Sequence, residues 1–207
     1  MSGMLTLERW RERAERQSYK TQAFIDGRYV DAASGNTFAV TCPSTGKLLA
    51  EVAACDSEDV DRAVAAARRS FESGVWSMMA KKDRKAVLLR FADLIDENVE
   101  ELALIETLDC GKPISFSIKK DITGTAIMIR WFAEAIDKIN DEIVPTRSDA
   151  IAMVTREPMG VVAAVVPWNY PMYMGYGAKA GPALAAGNSV ILKPAEQTPL
   201  TALRLGE

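Results

Sequence analysis

Val161-Val-Ala-Ala-Val-Val166 and Ser189-Val-Ile-Leu-Lys193 are the two stretches that decide the fold. Continuous apolar runs of this length predict strands buried on both faces of a parallel sheet. The residues between them, from Pro171 to about Ala186, have a helical pattern that Gly187-Asn188 ends. Strand, helix and strand in this order predict a right-handed βαβ unit.

The residues before this unit alternate between short strands and helices. Asp26-Gly27 between two apolar runs predicts a hairpin. Extended segments at 37–40 and 48–53 flank a second turn at Pro43–Gly46. Ser57, followed by acidic residues, predicts the N-cap of a helix. Helices are expected over residues 5–17, 57–69, 82–110 with a break near Asn98, and 114–140.

Two further elements complete the pattern of an α/β protein. Residues 142–157 alternate β-branched and polar side chains around Arg147-Ser148-Asp149, which predicts a hairpin. Thr198-Pro199 predicts a cap followed by proline at the first helical position. No stop signal precedes Glu207, and two parallel strands do not make a sheet, so we expect a chain cut from a larger domain.

Composition excludes several classes of protein. The 207 residues are 48% apolar and 26% charged with a net charge of −3, which is typical of a soluble globular protein and unsuited to nucleic acid or an anionic membrane. No apolar run is long enough to span a membrane, and Met1–Trp10 lacks the pattern of a secretory signal, so a cytoplasmic location is expected. The absence of histidine excludes Ser-His-Asp and Cys-His catalysis and most zinc chemistry. Three cysteines without CxxC spacing predict free thiols and no metal site.

Two segments are predicted to meet at the carboxyl edge of the sheet, where ligands bind in open parallel sheets. They are Pro167-Trp168-Asn169-Tyr170-Pro171 and Lys193-Pro194-Ala195-Glu196. Each also has a plain structural interpretation, as a rigid turn and as a loop that starts a helix. A carboxylate after the second strand, Glu196, can accept hydrogen bonds from ribose hydroxyls and repel a 2′-phosphate, which favours NAD over NADP. The nearby Lys193 could donate to the same sugar and weakens that discrimination.

Gly175-Tyr-Gly177-Ala-Lys-Ala180 imitates a dinucleotide-binding glycine fingerprint. The fingerprint requires its glycines directly after the strand, and here Pro171–Met174 intervenes. Close packing of a helix is therefore the favoured interpretation of these small residues.

Several stretches together resemble the aldehyde dehydrogenase superfamily. The signature-like stretches are Gly160-Val-Val-Ala-Ala-Val-Val-Pro-Trp-Asn-Tyr-Pro171 and 181–202, and Pro43–Gly46, Ser73–Trp76 and Glu106–Pro113 agree with them in order along the chain. The sequences of four other segments are most similar to those of the gamma-glutamyl-gamma-aminobutyraldehyde dehydrogenases of bacterial putrescine breakdown. These segments are Arg90–Ile95, Val99–Leu104, Ala133–Lys138 and Val154–Pro158.

The resemblance implies a mechanism in which a cysteine thiolate attacks an aldehyde, hydride passes to NAD, and a glutamate activates the hydrolytic water. It implies that the side-chain amide of Asn169 helps to hold the developing oxyanion, which makes this residue the catalytic candidate. The backbone of the first segment would line the cofactor and the second would hold the adenosine ribose. The implied cofactor-binding residues are Val165, Val166, Pro167, Trp168, Asn169, Lys193, Ala195 and Glu196.

The resemblance also implies a domain organisation. Residues 1–140 would form the N-terminal helical and strand segments of a Rossmann-like NAD-binding domain, 141–158 a projecting oligomerisation arm, and 159–207 the incomplete first βαβ of that domain. An exposed strand pair needs a partner, so a homodimer or homotetramer is expected for the full-length protein.

The family's catalytic cysteine and general-base glutamate would both lie beyond Glu207, so this chain is expected to be inactive alone. Cys110 is rejected as a substitute nucleophile because the neighbouring Asp109 would disfavour its thiolate. The stretch between Asn169 and Gly181 is one residue longer than the family pattern, which predicts a displaced Lys179. Two alternatives stay open: a catalytically dead scaffold or binding protein of the same fold, and an NADP-dependent acyl-phosphate reductase, against which Glu196 stands.

Overall fold

The computed structural model describes residues 5–207. Residues 1–4, on which the expectation of no secretory signal partly rests, lie outside the described residues. The helices are α1 (Leu7–Arg16), α2 (Ser57–Glu72), α3 (Lys81–Glu97), α4 (Val99–Cys110), α5 (Ile114–Phe116), α6 (Thr123–Ala135), α7 (Gly181–Ala185) and α8 (Leu200–Arg204). The strands are β1 (Ala23–Ile25), β2 (Arg28–Val30), β3 (Thr37–Thr41), β4 (Leu48–Ala53), β5 (Glu142–Val144), β6 (Ala152–Val154), β7 (Val161–Val165) and β8 (Ser189–Lys193).

The strands form three antiparallel hairpins and one parallel pair. This confirms the α/β class and all three predicted hairpins. In the first hairpin Asp26 and Gly27 have φ of 55° and 75°, the left-handed pair that a tight two-residue turn requires. None of the helices within residues 5–207 combines the length and apolar character that crossing a bilayer requires.

The parallel pair of β7 and β8 is the predicted βαβ core, with Val161 opposite Ser189 and Val165 opposite Lys193. The expectation of strands buried on both faces is wrong for β7. Ala164 is buried, whereas the alternate side chain of Val165 is 61% exposed. Only one face of the carboxyl half of β7 is covered by the residues that the structure describes.

The main core is helical and lies between α3, α6 and the segment that connects β7 to β8. Ile95, Ile129 and Met172 are almost fully buried there. Each such side chain contributes roughly 1.5–3 kcal/mol of burial free energy. A second cluster, in which Val40, Val52, Ile105 and Leu200 meet, joins the β3–β4 hairpin to α4 and α8.

Two stretches are π-helical where α-helices were expected, at Ser117–Ile122 and at Tyr173–Ala180. A π-helical hydrogen bond encloses one residue more than an α-helical bond. The second stretch lies in the region predicted to be one residue longer than the family pattern, and a wider turn of this kind can hold an extra residue. Gly177 lies in this turn, and a Cβ there would meet the Thr125 backbone of α6 at 3.5 Å, an ordinary van der Waals distance. Gly175 and Gly177 therefore lie against their neighbours at ordinary packing distances, and their role in close helix packing stays a prediction.

Three predicted boundaries are corrected. The N-cap of α2 is Asp56, not Ser57. The Asp56 carboxylate accepts the Glu58 N–H, and the Asp59 carboxylate accepts the Asp56 N–H. The N-cap of α8 is Pro199, since the Thr198 hydroxyl donates to the Trp168 carbonyl and does not cap the helix. The helix expected to reach residue 140 ends at Ala135.

The β5–β6 hairpin, termed the arm (residues 141–158), is anchored at its base and exposed along its length. The Arg156 N–H donates to the Asp141 carboxylate over 3.0 Å, and the Arg156 guanidinium pairs with Glu142. Ile143 and Ile151 are 78% and 81% exposed. The arm therefore presents apolar side chains that residues 5–207 do not cover.

Candidate functional site

The candidate site is the carboxyl edge of the β7–β8 sheet. Val165 is the register partner of Lys193, and the Val166 N–H continues the ladder by donating to the Lys193 carbonyl over 3.2 Å. Pro167–Asn169 and Pro194–Glu196 therefore leave neighbouring strands at one edge. The structure thus brings the two sequence-predicted segments together.

In the first segment, three consecutive residues are open to solvent. Pro167, Trp168 and Asn169 are all exposed, with Trp168 at 59%. The Asn169 amide makes no hydrogen bond within residues 5–207, so its two N–H donors are available to a ligand. The segment can offer a neutral donor and an exposed aromatic surface at this edge.

In the second segment, Lys193 and Glu196 form an exposed ion pair. The hydrogen bond from the Lys193 ammonium lowers the pKa of the Glu196 carboxyl, so Glu196 is ionised at neutral pH. An ionised carboxylate accepts hydrogen bonds from a sugar diol, and the adjacent ammonium can donate one. Ala195, between them in sequence, is buried and holds the loop against the protein.

The Trp168 carbonyl is held by two side chains that sequence reasoning did not assign to the site. The Thr198 hydroxyl donates to it over 3.2 Å and the Cys110 thiol over 3.5 Å. Lys179 makes a related contact, since its ammonium donates to the Val165 carbonyl over 2.8 Å. No local sequence signal predicts these contacts, because each joins residues far apart in the chain.

A buried group of carboxylates lies in and beside α4, near the candidate site. Glu106 accepts the Thr201 hydroxyl over 2.7 Å and Asp109 accepts the Leu200 N–H over 2.9 Å, which ties α4 to α8. Burial raises the pKa of Glu106 to about 7 and that of Asp109 to about 8. The polar positions at a spacing of three in the otherwise apolar Leu102–Cys110 are the signal that could have identified this group.

Lys112 forms a second ion pair in this region. Its ammonium lies 2.8 Å from Asp121 and 4.2 Å from the centre of the Tyr170 ring. The Tyr170 ring, in the residue after Asn169, therefore makes a cation–π contact with the Lys112 ammonium, which stabilises both partners.

Cys110 remains unsuited to nucleophilic catalysis, although the leading cause differs from the one expected. Burial raises the pKa of its thiol first, and the charge of Glu106 second, with Asp109 a smaller influence. A thiol that holds its proton is a weak nucleophile but a usable hydrogen-bond donor. Among residues 5–207, no three acidic, cysteine or histidine side chains come together in a way that could hold a metal ion.

Two surface depressions lie away from this edge. One lies between the first hairpin and α2 and is lined by Asp26, Arg28, Arg62 and Arg69, and the other runs along α1. Arg62 and Arg69 are already paired with Asp59 and Asp26. We therefore place the candidate site at the sheet edge, where unpaired donors are available, and not in these depressions.

Comparison with known proteins identifies the family to which this chain belongs. Residues 29–207 match the model of the aldehyde dehydrogenase family. An aminoacetaldehyde dehydrogenase of Pseudomonas aeruginosa is 52% identical over 207 residues, all of this chain and 42% of the relative. The NADP/NAD-dependent aldehyde dehydrogenase PuuC of Escherichia coli is 52% identical over 196 residues, 95% of this chain and 39% of the relative.

Solved structures of aldehyde dehydrogenases support the same family. A gamma-glutamyl-gamma-aminobutyraldehyde dehydrogenase from Burkholderia cenocepacia superposes with a TM-score of 0.95 at 53% identity, over 97% of this chain and 41% of that one. The P. syringae indole-3-acetaldehyde dehydrogenase AldA, in complex with NAD⁺ and IAA, superposes with a TM-score of 0.96 at 53% identity, over 98% and 41%. The chain spans about two fifths of the length of these relatives. The resemblance inferred from the signature stretches is confirmed: this chain belongs to the aldehyde dehydrogenase family.

Proposed function

We propose that a longer polypeptide containing this chain oxidises an aldehyde to a carboxylic acid with NAD as the hydride acceptor. The observation that carries the proposal is the register of β7 and β8, which sets Asn169 and Glu196 on neighbouring loops at one sheet edge. The names of the relatives, an aminoacetaldehyde dehydrogenase and a gamma-glutamyl-gamma-aminobutyraldehyde dehydrogenase, support a polyamine-derived or other aliphatic aldehyde as substrate.

In this proposal the Asn169 amide donates to the oxygen of the aldehyde as that oxygen gains negative charge. The amide is suited to this role because it is exposed and has no hydrogen bond within residues 5–207. A preorganised neutral donor stabilises such a charge without the cost of neutralising another ion. The attacking thiolate and the base are assigned to the part of the polypeptide that follows this chain.

The cofactor would lie along the edge. Residues Val165, Val166, Pro167 and Trp168 line it through their backbone on the side of Asn169. Lys193, Ala195 and Glu196 hold the adenosine ribose, with Glu196 accepting from its hydroxyls and Lys193 donating. The residues fit NAD, because an ionised Glu196 repels a 2′-phosphate while the paired Lys193 moderates that repulsion. The relative PuuC is described as NADP/NAD-dependent, which is consistent with such a balance.

We also propose the domain organisation expected from the sequence: residues 1–140 and 159–207 belong to one NAD-binding domain, and the arm (residues 141–158) serves oligomerisation. The exposure of Ile143 and Ile151 supports an arm that pairs with another copy in a homodimer or homotetramer. A cytoplasmic location agrees with the sequence composition.

The test compares this chain with the polypeptide encoded by the reading frame continued past residue 207. NADH formation is measured with short aliphatic aldehydes and aminoaldehydes. We expect turnover from the longer polypeptide and none from residues 1–207 alone. Asn169→Ala should lower kcat by ~10²–10³, with a small effect on the KM for NAD.

Two outcomes would contradict the proposal. A longer polypeptide without turnover toward any aldehyde would favour a binding or scaffold protein of the same fold. An Asn169→Ala variant with unchanged kcat would remove Asn169 from the mechanism. Asn36→Ala, a change at an exposed asparagine distant in sequence from the edge, is the matched control and should leave kcat unchanged.

A further inference from the structure

The peptide that joins Trp168 to Asn169 is held from outside its own loop. Its carbonyl oxygen accepts from the Thr198 hydroxyl at 3.2 Å and from the Cys110 thiol at 3.5 Å. A carbonyl oxygen has two lone pairs, so these donors fill its capacity. Two side chains from separate parts of the chain thus converge on the bond before Asn169.

Both donors are fixed in place. Cys110 is the last residue of α4, which closes with Gly111 at a φ of 76° and the Gly111 N–H on the Thr107 carbonyl. Thr198 is only 2% exposed, and its N–H donates to the Ala195 carbonyl over 3.1 Å. The pKa of the Cys110 thiol is raised by burial, so the thiol keeps the proton that it donates.

The loop itself has few other restraints. The last ladder bond of β7 is made by the Val166 N–H, and the next backbone bond within residues 5–207 is accepted by the Tyr170 carbonyl from Met174. Trp168 and Asn169 lie between these bonds and are exposed. Without the two donors, the Trp168 carbonyl would be free to turn toward solvent.

The orientation of this carbonyl decides the orientation of Asn169. The peptide is trans and planar, so directing the carbonyl toward Thr198 and Cys110 directs the Asn169 N–H to the opposite side. The Cα of Asn169 is then held in place, and the Asn169 side chain extends from a fixed position. An oxyanion donor must be held within about 0.5 Å of its productive position to be effective.

We propose that Thr198 and Cys110 are positioning residues, which hold the Trp168 carbonyl and thereby aim the Asn169 amide. The inference rests on the proposed function for its catalytic consequence. The clamp itself, the contact of Thr198 and Cys110 with the Trp168 carbonyl, is a property of this chain and can be tested without any reaction.

The first experiment measures the order of Asn169 in residues 1–207. The chain contains five asparagines, so ¹⁵N-asparagine labelling gives a small set of backbone signals, and that of Asn169 is assigned by its loss in Asn169→Asp. In a Thr198→Val, Cys110→Ala double variant, we expect the ¹⁵N order parameter of Asn169 to fall from about 0.85 toward 0.6. Thr198→Ser with Cys110 intact keeps the hydroxyl and should preserve the wild-type value.

The internal reference is Asn188, whose side chain bonds to Gly160 and Ala183 and which lies at the other end of β8. Its order parameter should not change in any variant. An Asn169 signal as ordered in the double variant as in the wild type would overturn the clamp. If the double variant fails to fold, Cys110→Ala and Thr198→Val are measured singly, and each should give part of the loss.

The second experiment uses the longer polypeptide and a double-mutant cycle. Thr198→Val should lower kcat about tenfold and leave the KM for NAD unchanged, and Thr198→Ser should restore kcat. In an Asn169→Ala background, Thr198→Val should have no further effect, because there is no amide left to aim. A merely structural Thr198 would lower kcat by the same factor in both backgrounds, which would overturn the proposal.

The two experiments separate two kinds of failure. If Asn169→Ala leaves kcat unchanged, the proposed function of Asn169 fails, while the order parameters still decide the clamp. If Asn169→Ala lowers kcat but Thr198→Val changes neither kcat nor the order of Asn169, the clamp fails and the proposed function stands.

Discussion

The buried carboxyl of Asp109 makes the stability of the fold depend on pH in a direction opposite to that of ordinary acidic groups. Burial raises its pKa from 3.8 to about 8, and the hydrogen bond from the Leu200 N–H only partly counteracts this. The folded chain therefore keeps a proton that the unfolded chain releases. A carboxyl with a raised pKa contributes stability that is complete below its ordinary pKa and is lost as the pH rises toward its folded value.

The magnitude follows from proton linkage. Between about pH 5.5 and about pH 7.5 the folded state binds roughly one proton more at this group, so the free energy of unfolding falls by ~1.4 kcal/mol per pH unit, or about 3 kcal/mol in all. For a chain of this size that corresponds to a fall in Tm of roughly 6–12 °C. Glu106, with its pKa raised by burial to about 7, contributes in the same direction.

The assay is urea unfolding followed by circular dichroism across this pH range. Asp109→Asn is the perturbation, since an amide oxygen can still accept the Leu200 N–H but does not titrate. We expect the variant to lose the part of the pH slope that belongs to Asp109. Asp61→Asn, which changes an exposed carboxylate of α2, is the matched control and should keep the wild-type slope.

Only the difference between variant and wild type is diagnostic, because other carboxyls act in the opposite sense. The hydrogen bonds from Lys138 and Lys85 lower the pKa of Asp137 to about 2, so its contribution is lost as the pH falls. Equal pH slopes for Asp109→Asn and the wild type would refute the reasoning, since they would mean that Asp109 ionises alike in the folded and unfolded chains.

Three further substitutions test separate features of the chain. Gly111→Ala should destabilise the chain by about 1 kcal/mol more than Gly35→Ala in urea unfolding, because both glycines have positive φ but only at Gly111 would a Cβ meet another side chain, at 2.9 Å; equal losses would show that the contact is harmless. Glu196→Gln in the longer polypeptide should raise the ratio of kcat/KM with NADP to that with NAD about tenfold, and an unchanged ratio would exclude Glu196 from cofactor discrimination. Ile143→Lys should shift the chain toward monomer in size-exclusion chromatography, whereas an unchanged elution volume would contradict pairing through the arm.

The parts of the fold that the sequence predicted correctly depend on neighbouring residues. The Asp26-Gly27 turn needs only two residues that tolerate positive φ, and the end of α4 needs only a glycine at 111. The parallel pair of β7 and β8 follows from two apolar runs separated by one helical segment. Because two parallel strands have their carboxyl ends at the same edge of the sheet, the meeting of the Asn169 and Glu196 loops could also be predicted.

The parts that could not be predicted depend on distant residues. Cys110 and Thr198 lie 58 and 30 residues from the Trp168 carbonyl that they hold, and neither spacing corresponds to a local motif. The N-cap of α2 is an exception, because Asp56 caps this helix through local contacts with Glu58 and Asp59 that the prediction at Ser57 missed. The exposure of Val165 could not be anticipated from an apolar run, which has the same composition whether one or both faces of its strand are covered.

The loops at the sheet edge and the Asn169 amide depend on different restraints, and so they tolerate substitution differently. The positions of Asn169 and Glu196 along the edge are set by the backbone pairing of Val165 with Lys193, which most substitutions at the edge would leave intact. The aim of the Asn169 amide depends instead on two side-chain donors, and a single substitution removes either of them. A family member could therefore keep every residue of the edge and still lose the orientation of its oxyanion donor through a change at Thr198 or Cys110, because these two residues, and not the strand register, hold the Trp168 carbonyl.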